Sequence, residues 1–378
     1  SFRDWVLAQD RFDARFRLPS LPRSKRTMIH KYLATAVSIL LLAPLTACEK
    51  RDTTATTSTS AAGGKIRVVY IPKNTGNPYF NGVQEGFTRG CKEQNIDCLS
   101  TGPTTADATS QIPILKDQIQ QAVNVICICP NSPDALNAVL DDARAKGIKV
   151  ITVDADLTGN ESHRDACVLP TDFNALGASQ IELLGSLINY EGKFAILSAT
   201  TDAPNQNYWI KGMKEALKDP KYAKMELVDT VYGDDKPEKS RKEAEGLLTK
   251  YPDLRAILAP TSVGVEQAAK TIEASGTYPG GPNAKGPGVV VTGLGTPDQM
   301  RSYIEKGIIQ KVALWSPPDE GYVTAYLAGN IAQNKLKLDR GGSFEVPSLG
   351  TRQLGNNNVV ITGPPLVFTK ENIGNYHF

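Results

Sequence analysis

From Lys65 onward the sequence alternates short apolar runs with helix-length amphipathic stretches, and that alternation restricts the fold more than any other feature. Ile66-Arg67-Val68-Val69-Tyr70-Ile71 is a β-rich run, halted by Pro72-Lys73-Asn74-Thr75-Gly76-Asn77-Pro78. A helix is expected over 79–94, a strand over 98–101 and a helix over 107–122, with Ile112, Leu115, Ile119 and Ala122 on one face. Val125-Ile126-Cys127-Ile128-Cys129 has no polar break, as in a strand covered on both sides by helices. A helix over 133–146 and a strand over 150–153 complete the series at Asp154. Strands separated by single helices pair in parallel through right-handed crossovers.

The rhythm restarts after Pro170. Helices over 173–189, 205–218, 237–250, 263–275 and 297–306 precede strands over 194–197, 225–232, 256–258, 289–292 and 311–315. The fold class expected is α/β, with two doubly wound parallel-sheet lobes joined by a multi-strand hinge. One lobe takes 65–169 plus about 299–330, and the other 170–298 plus about 331–378. Hinge crossings are expected near 168–171, 297–299 and 325–335.

The segment before Lys65 has a different character. Residues 1–31 carry eight basic and three acidic side chains, a surplus of five positive charges. An apolar run, Tyr32 to Leu45, follows. It falls short of the ~20 residues of a spanning helix and fits an export signal. Leu45-Thr46-Ala47-Cys48 resembles the lipobox of bacterial lipoproteins, which implies that Cys48 is lipidated and becomes the mature N-terminus. Residues 1–27 therefore read as an upstream or leader segment, 28–47 as a signal peptide, and 48–64 as the lipidated Cys and a flexible Thr/Ser/Ala tether. Removing the +5 of residues 1–31 from the chain's +2 leaves −3 on 49–378, since 32–48 holds no charged side chain.

That balance excludes a dedicated nucleic-acid binder, which carries a basic excess. Six Cys are too few for a disulfide scaffold at this length, and three His leave no room for a His-rich metal site. Catalysis finds no constellation either. His30 lies in the signal, His377 at the terminus, and His163 stands alone. Gly293-Leu294-Gly295 is only a fragment of a dinucleotide fingerprint. No enzyme activity, cofactor or metal is expected. A regulator would need a helix-turn-helix where the export signal stands. Cys91 and Cys98 flank a helix end and the next strand, so an exported protein can bridge them or leave two thiols. Cys127 and Cys129 face one side of a strand and read as buried apolar residues, and Cys167 has no partner in sequence.

Ligands of doubly wound sheets sit beyond the carboxyl ends of the strands, and with two lobes the natural place is the cleft between them. After the strands of the first half come Lys73, Asn77, Tyr79 and Phe80, then Asp154 and Asp156. The second half contributes Asn205, Gln206 and Trp209, then Pro260 and Ser262, then Gly295 and finally Trp315. Amides, carboxylates and hydroxyls beside aromatic faces suit a neutral polyhydroxylated ligand, because each polar group can exchange hydrogen bonds with adjacent hydroxyls. Asn131, Ser132, Thr296 and Asp298 read instead as helix caps or turn formers, and Asp234-Asp235-Lys236 as a solvated turn.

With Ile71-Pro72-Lys73-Asn74, Gly76 to Phe80, GPTTADATSQIPIL (102–115), TVDAD (152–156), NQNYWI (205–210), TVYGDDK (230–236), YPDLRAILAPTSVG (251–264), VTGLGTPDQMR (291–301), ALW (313–315) and GPPLVFTKENIGNYHF (363–378), the sequence resembles the type I periplasmic sugar-binding proteins of ABC importers. Within them it is most similar to the rhamnose-binding proteins and the related binders of a furanose-like quorum-sensing autoinducer. The resemblance implies ligand contacts at Lys73, Asp154, Asn205, Gln206, Pro260 and Ser262. Some autoinducer binders have Asp where Asn205 stands and Ala where Ser262 stands, which favours rhamnose or another deoxy sugar. It further implies a monomeric clamp that closes on a monosaccharide and docks on ABC permease membrane subunits. The clamp would stand in the periplasm or on the outer face of the membrane, held by lipid on Cys48. Binding of the autoinducer, or of a ribose- or xylose-like sugar, stays open, as does a sensor that presents sugar to a membrane receptor.

Overall fold

The computed structural model describes residues 65–378; the leader, the signal, Cys48 and the tether lie outside the described residues. The first lobe begins with β1 (Arg67–Ile71), whose last four residues are buried. Pro72 ends it, and Asn77 caps α1 (Pro78–Glu93) by accepting the Tyr79 N–H, with Pro78 at the first helical position where a missing N–H costs nothing. Then follow β2 (Asp97–Ser100), α2 (Ile112–Gln120), β3 (Val125–Ile128), α3 (Asn137–Ala145), β4 (Lys149–Val153) and β5 (Ala166–Leu169). A disulfide joins Cys91 in the last turn of α1 to Cys98 in β2, while Cys127, Cys129 and Cys167 are buried free thiols.

Alternate side chains of the strands build two layers. Val69, Ile71, Ile126 and Ile128 pack with Leu115, Leu136 and Leu140 on one face. Tyr70, Cys127 and Val153 meet Val83 and Phe87 on the other. The helix expected over 107–122 begins only at Ile112. Pro113 sits in the first turn of the helix, where its missing N–H costs no helical hydrogen bond, and 107–111 form turns ahead of it. Strand β5 was not expected from the sequence.

The chain leaves this sheet after β5. The second lobe runs α4 (Phe173–Ile188), β6 (Glu191–Ser198), α5 (Pro204–Ala216), β7 (Lys224–Tyr232), α6 (Pro237–Lys250), β8 (Leu254–Ala259), α7 (Ser262–Ser275), β9 (Val290–Gly293), α8 (Pro297–Glu305) and β10 (Val312–Leu314). Its parallel sheet has the order β7-β6-β8-β9.

The rest of the chain corrects the expected lobe boundaries. Residues 299–314 stay with the second lobe: Leu294 bridges Ala313 in parallel, and the Gly295 N–H donates to the Ala313 carbonyl at 3.1 Å. The chain crosses back only at Trp315–Ser316, entering α9 (Pro317–Ala332). This helix lies so close on α1 that a Cβ on Gly86 would stand 1.7 Å from the Pro318 oxygen, and one on Gly321 1.8 Å from the Val83 oxygen. Then come a hairpin, β11 (Ser343–Val346) with β12 (Gly350–Gln353), and β13 (Val359–Ile361). Residues 331–361 were expected in the second lobe. Instead β13 pairs in parallel with β5 and completes a first sheet of order β13-β5-β4-β3-β1-β2. The third crossing follows β13, and β14 (Leu366–Phe368) pairs antiparallel with β10 in the second lobe. The second correction has a plain cause: the edge of β5 satisfies its backbone groups with β13, a strand far away in sequence. Among the described residues no helix is long and apolar enough to cross a membrane.

Candidate functional site

The strand order reverses between β1 and β3 in the first sheet and between β6 and β8 in the second, and the loops beyond those carboxyl ends face each other across a cleft. Between them lies a small cavity lined from both lobes. The loop after β1 carries Lys73, and two buried amides hold it. Gln111 donates to the carbonyls of Pro72 (3.0 Å) and Cys129 (2.7 Å), and Asn131 donates to the Lys73 carbonyl (2.9 Å). Tyr79 and Phe80 open α1 and turn into the cavity. Asn205 and Gln206 lie four and three residues before Trp209 in the first turns of α5, which puts both beside it. Pro260 ends β8, and Ser262 opens α7.

Asp154, just past β4, is the centre of the polar set. It sits at φ +62° in a tight turn closed by the Ala155 N–H on the Val153 carbonyl at 2.6 Å. A non-glycine residue in that region is strained, and such strain gathers at functional positions. Its Oδ2 accepts from the Asn205 amide at 3.0 Å and faces the Lys73 ammonium at 3.6 Å, while Oδ1 accepts from the Tyr79 hydroxyl at 2.8 Å. Burial pushes the carboxyl above its ordinary range, against the pull of Lys73, Tyr79 and Asn205. Lys73 donates to the Asn205 side-chain oxygen at 2.6 Å, and Ser262 donates to the Asn77 side-chain oxygen at 3.3 Å, so both lobes are bonded across the cleft.

Aromatic rings wall the cavity. Tyr79 meets Phe80 and Trp315 edge-on at 5.1 and 6.2 Å, and Trp209 packs against Trp315 at 5.8 Å and Phe173 at 5.0 Å. The Trp209 indole N–H is buried with no partner among the described residues. Gln206 accepts from the Ser198 hydroxyl (2.6 Å) and the Ala199 N–H (2.8 Å) through its oxygen, which leaves its NH₂ to donate. The site therefore presents donors and acceptors from both lobes between apolar ring faces.

Eleven of the thirteen expected ligand positions line this cavity; Asp156 and Gly295 do not. Asp156 turns away to a bidentate ion pair with Arg164, at 2.8 Å to Nε and 2.5 Å to Nη2, and Arg164 continues to the Asn357 carbonyl. Gly295 is packed on Met300 and Val265, each within 3 Å of where its Cβ would be.

Asp235 corrects the reading of 234–236 as a solvated turn. Consecutive left-handed residues, Asp234 at +55° and Asp235 at +51°, turn Asp235 inward after β7. There it is 7 % exposed, accepts from the Thr261 hydroxyl at 2.6 Å and lines the cavity. Burial raises its pKa. Thr261, which directly follows β8 beside Pro260 and Ser262, also lines the cavity, as do Leu294 and Leu314, which were not anticipated. Ser132 and Thr296 behave as expected, Ser132 accepting from the Ala135 N–H and Thr296 capping α8, whereas Asn131 is no cap: it is buried and its amide donates to the Lys73 carbonyl. Among the described residues no three His, Cys, Asp or Glu side chains gather as a metal site.

Comparisons with known proteins converge on one family. Residues 68–336 match the model of the periplasmic binding protein domain. A solute-binding protein of an ABC transporter from Clostridium phytofermentans, solved with bound L-rhamnose, is 29% identical, with 83% of this chain and 98% of that one covered at a TM-score of 0.77. A sugar ABC transporter structure from Actinomyces odontolyticus is 36% identical over the same shares, 83% and 98%, with a TM-score of 0.65. A D-ribose/D-allose-binding protein of Pseudomonas aeruginosa is 25% identical over 218 residues, 56% of this chain and 67% of that protein. With its α/β architecture of two parallel-sheet lobes and the match across most of its described length, this chain belongs to the periplasmic binding protein family.

Proposed function

We propose that this protein is the extracytoplasmic receptor of a sugar importer. It takes a monosaccharide, for which L-rhamnose or a similar deoxy sugar is the best candidate, and delivers it to the membrane subunits of an ABC permease. The observation that carries this reading is Asp154, held by Lys73 and Asn205 from opposite lobes in a cavity with aromatic walls. A carboxylate, an ammonium and amides bracket adjacent hydroxyls, and rings cover the C–H face of a pyranose or furanose. The relative solved with L-rhamnose and the ribose-binding relative support the same ligand class.

Closure follows from the arrangement. A sugar touching both lobes interacts fully only when they are together, so its binding energy shifts the open–closed equilibrium. The three chain crossings serve as the hinge. Lipid on Cys48 would keep the receptor, as a monomer, beside its permease, with processing supplying the several acyl chains that stable anchoring needs. The absence of any catalytic role completes the proposal: the sugar leaves as it arrived.

A thermal-shift screen with L-rhamnose, L-fucose, D-ribose, D-xylose, D-galactose and the furanose-like autoinducer tests the reading. Stabilisation by L-rhamnose above the others is expected. A shift with another sugar and none with L-rhamnose overturns the favoured ligand, and no shift with any overturns the sugar class.

A further inference from the structure

Behind the cavity wall, the Tyr79 hydroxyl has three polar partners. The Trp315 indole N–H donates to it at 2.7 Å, Asp154 Oδ1 lies at 2.8 Å, and Glu320 Oε2 lies at 2.6 Å. An indole N–H can only donate, and a phenol has a single proton. Two ionised carboxylates therefore cannot both be satisfied by this hydroxyl, and one of the acids must bring a proton of its own.

The surroundings decide which. Asp154 has two further groups on it, the Asn205 amide and the Lys73 ammonium. Glu320, on α9, is 0% exposed, and its other oxygen, Oε1, is buried with no hydrogen-bond partner. The Asp154 backbone N–H close by directs its bond to the Val168 carbonyl. A buried ionised carboxylate with a bare oxygen is far costlier than a neutral acid with a bare carbonyl. The groups facing Glu320 agree. They are Asp154 past β4, Tyr79 on α1, Tyr70 on β1, Cys129 past β3 and Cys167 on β5, with Lys73 the opposing cation. Burial first, and then Asp154, push the Glu320 carboxyl well above its ordinary range.

We infer that Glu320 is a protonated acid at neutral pH and a positioning residue for the site: its O–H donates to the Tyr79 oxygen, which aims the Tyr79 proton at Asp154 and fixes that carboxylate as the ligand acceptor. Trp315 stands at the crossing between the lobes and Glu320 three residues into α9, so one phenol hydroxyl ties the hinge to the binding carboxylate. The ligand part rests on the sugar-receptor reading; the proton does not.

Infrared difference spectroscopy of the full chain against E320Q at pH 7 tests the proton without any sugar. A protonated-carboxyl C=O stretch present in the wild type and missing in E320Q is expected, and a wild type without that band overturns the inference. Calorimetry with L-rhamnose tests the positioning. Gln retains an N–H to donate and should bind within about threefold of the wild type, while E320L, lacking any donor, should bind about tenfold or more weakly. The wild-type affinity should fall at alkaline pH, as Glu320 ionises, and that of E320Q should stay flat. Equal weakening in the two variants, or the same pH profile in E320Q, overturns the positioning role. Failure of every protein to bind L-rhamnose counts against the sugar reading alone, and the infrared band still decides the proton. If E320L does not fold, the comparison of pH profiles stands in its place.

Discussion

The Lys73 ammonium donates to the Asn205 side-chain oxygen at 2.6 Å while standing 3.6 Å from Asp154, so one cation from the first lobe serves both sides of the cleft. Lys73 and Asp154 are each about 4% exposed, which makes the pair one of buried charges. Removing one partner of such a pair costs about 3–5 kcal/mol, because the other charge is left unsupported.

Lys73→Met should therefore weaken sugar binding by about a hundredfold or more, corresponding to the lower part of that range. Calorimetry measures it. Affinity within a factor of a few of the wild type would show that the ammonium bonds the lobes without serving the ligand.

Asp156 makes an opposite prediction from a neighbouring position. Burial alone would raise its carboxyl, but hydrogen bonds and charge from Arg164 outweigh that and hold it below the ordinary range. An acid with a lowered folded pKa stabilises the protein fully above its unfolded value, and this stability is lost as pH falls through the ordinary range toward the folded value. Asp156→Asn should destabilise the fold by about 3 kcal/mol at neutral pH and flatten the acid side of the stability curve. Denaturant melts across pH measure both. Sugar affinity of the folded protein should not change.

Much of this organisation is legible in the sequence because it is local. Val125–Cys129 must be an inner strand by its unbroken apolar character, and Lys73, Asp154 and Asn205 stand directly after strands, where doubly wound sheets gather their ligands. What escaped is set by distant partners. The three residues of β10 do not reveal which sheet they join, and β13 finds β5 across nearly 200 positions. Asp156 shares the TVDAD run with Asp154, yet only the tertiary placement of Arg164 turns it away. Asp235 sits in an acidic turn that looks solvated until two left-handed residues bury it. Glu320, in the first turn of α9, was not singled out from the sequence because its burial comes only from the packing of α9 onto α1.

The Cys91–Cys98 bridge closes a short loop between α1 and β2. Loop-closure entropy for so few residues is worth about 2 kcal/mol. Mass spectrometry before and after reduction and alkylation should show one disulfide among the described cysteines, and Cys91→Ser with Cys98→Ser should lower the unfolding free energy by about that amount. Unchanged stability would place the bridge's effect in native strain or residual unfolded structure.

The seam between α1 and α9 depends on missing side chains. A Cβ on Gly321 would fall 1.8 Å from the backbone oxygen of Val83, which cannot rotate away. Gly321→Ala should cost about 3 kcal/mol or more, since overpacking forces the helices apart. Because Tyr79 and Glu320 lie on these two helices, the variant should also weaken sugar binding. Wild-type stability would mean that the helices separate freely.

The most direct test is calorimetric titration of L-rhamnose into the wild type and Asp154→Asn. Asn tolerates left-handed backbone and preserves the shape of Asp154, so the fold is kept while the acceptor charge is lost. The wild type should bind, and the variant, folded but with a lowered melting temperature because buried Lys73 loses its counter-charge, should bind at least a hundredfold more weakly. Equal affinity in the two proteins would contradict the assignment of Asp154 as the centre of the site.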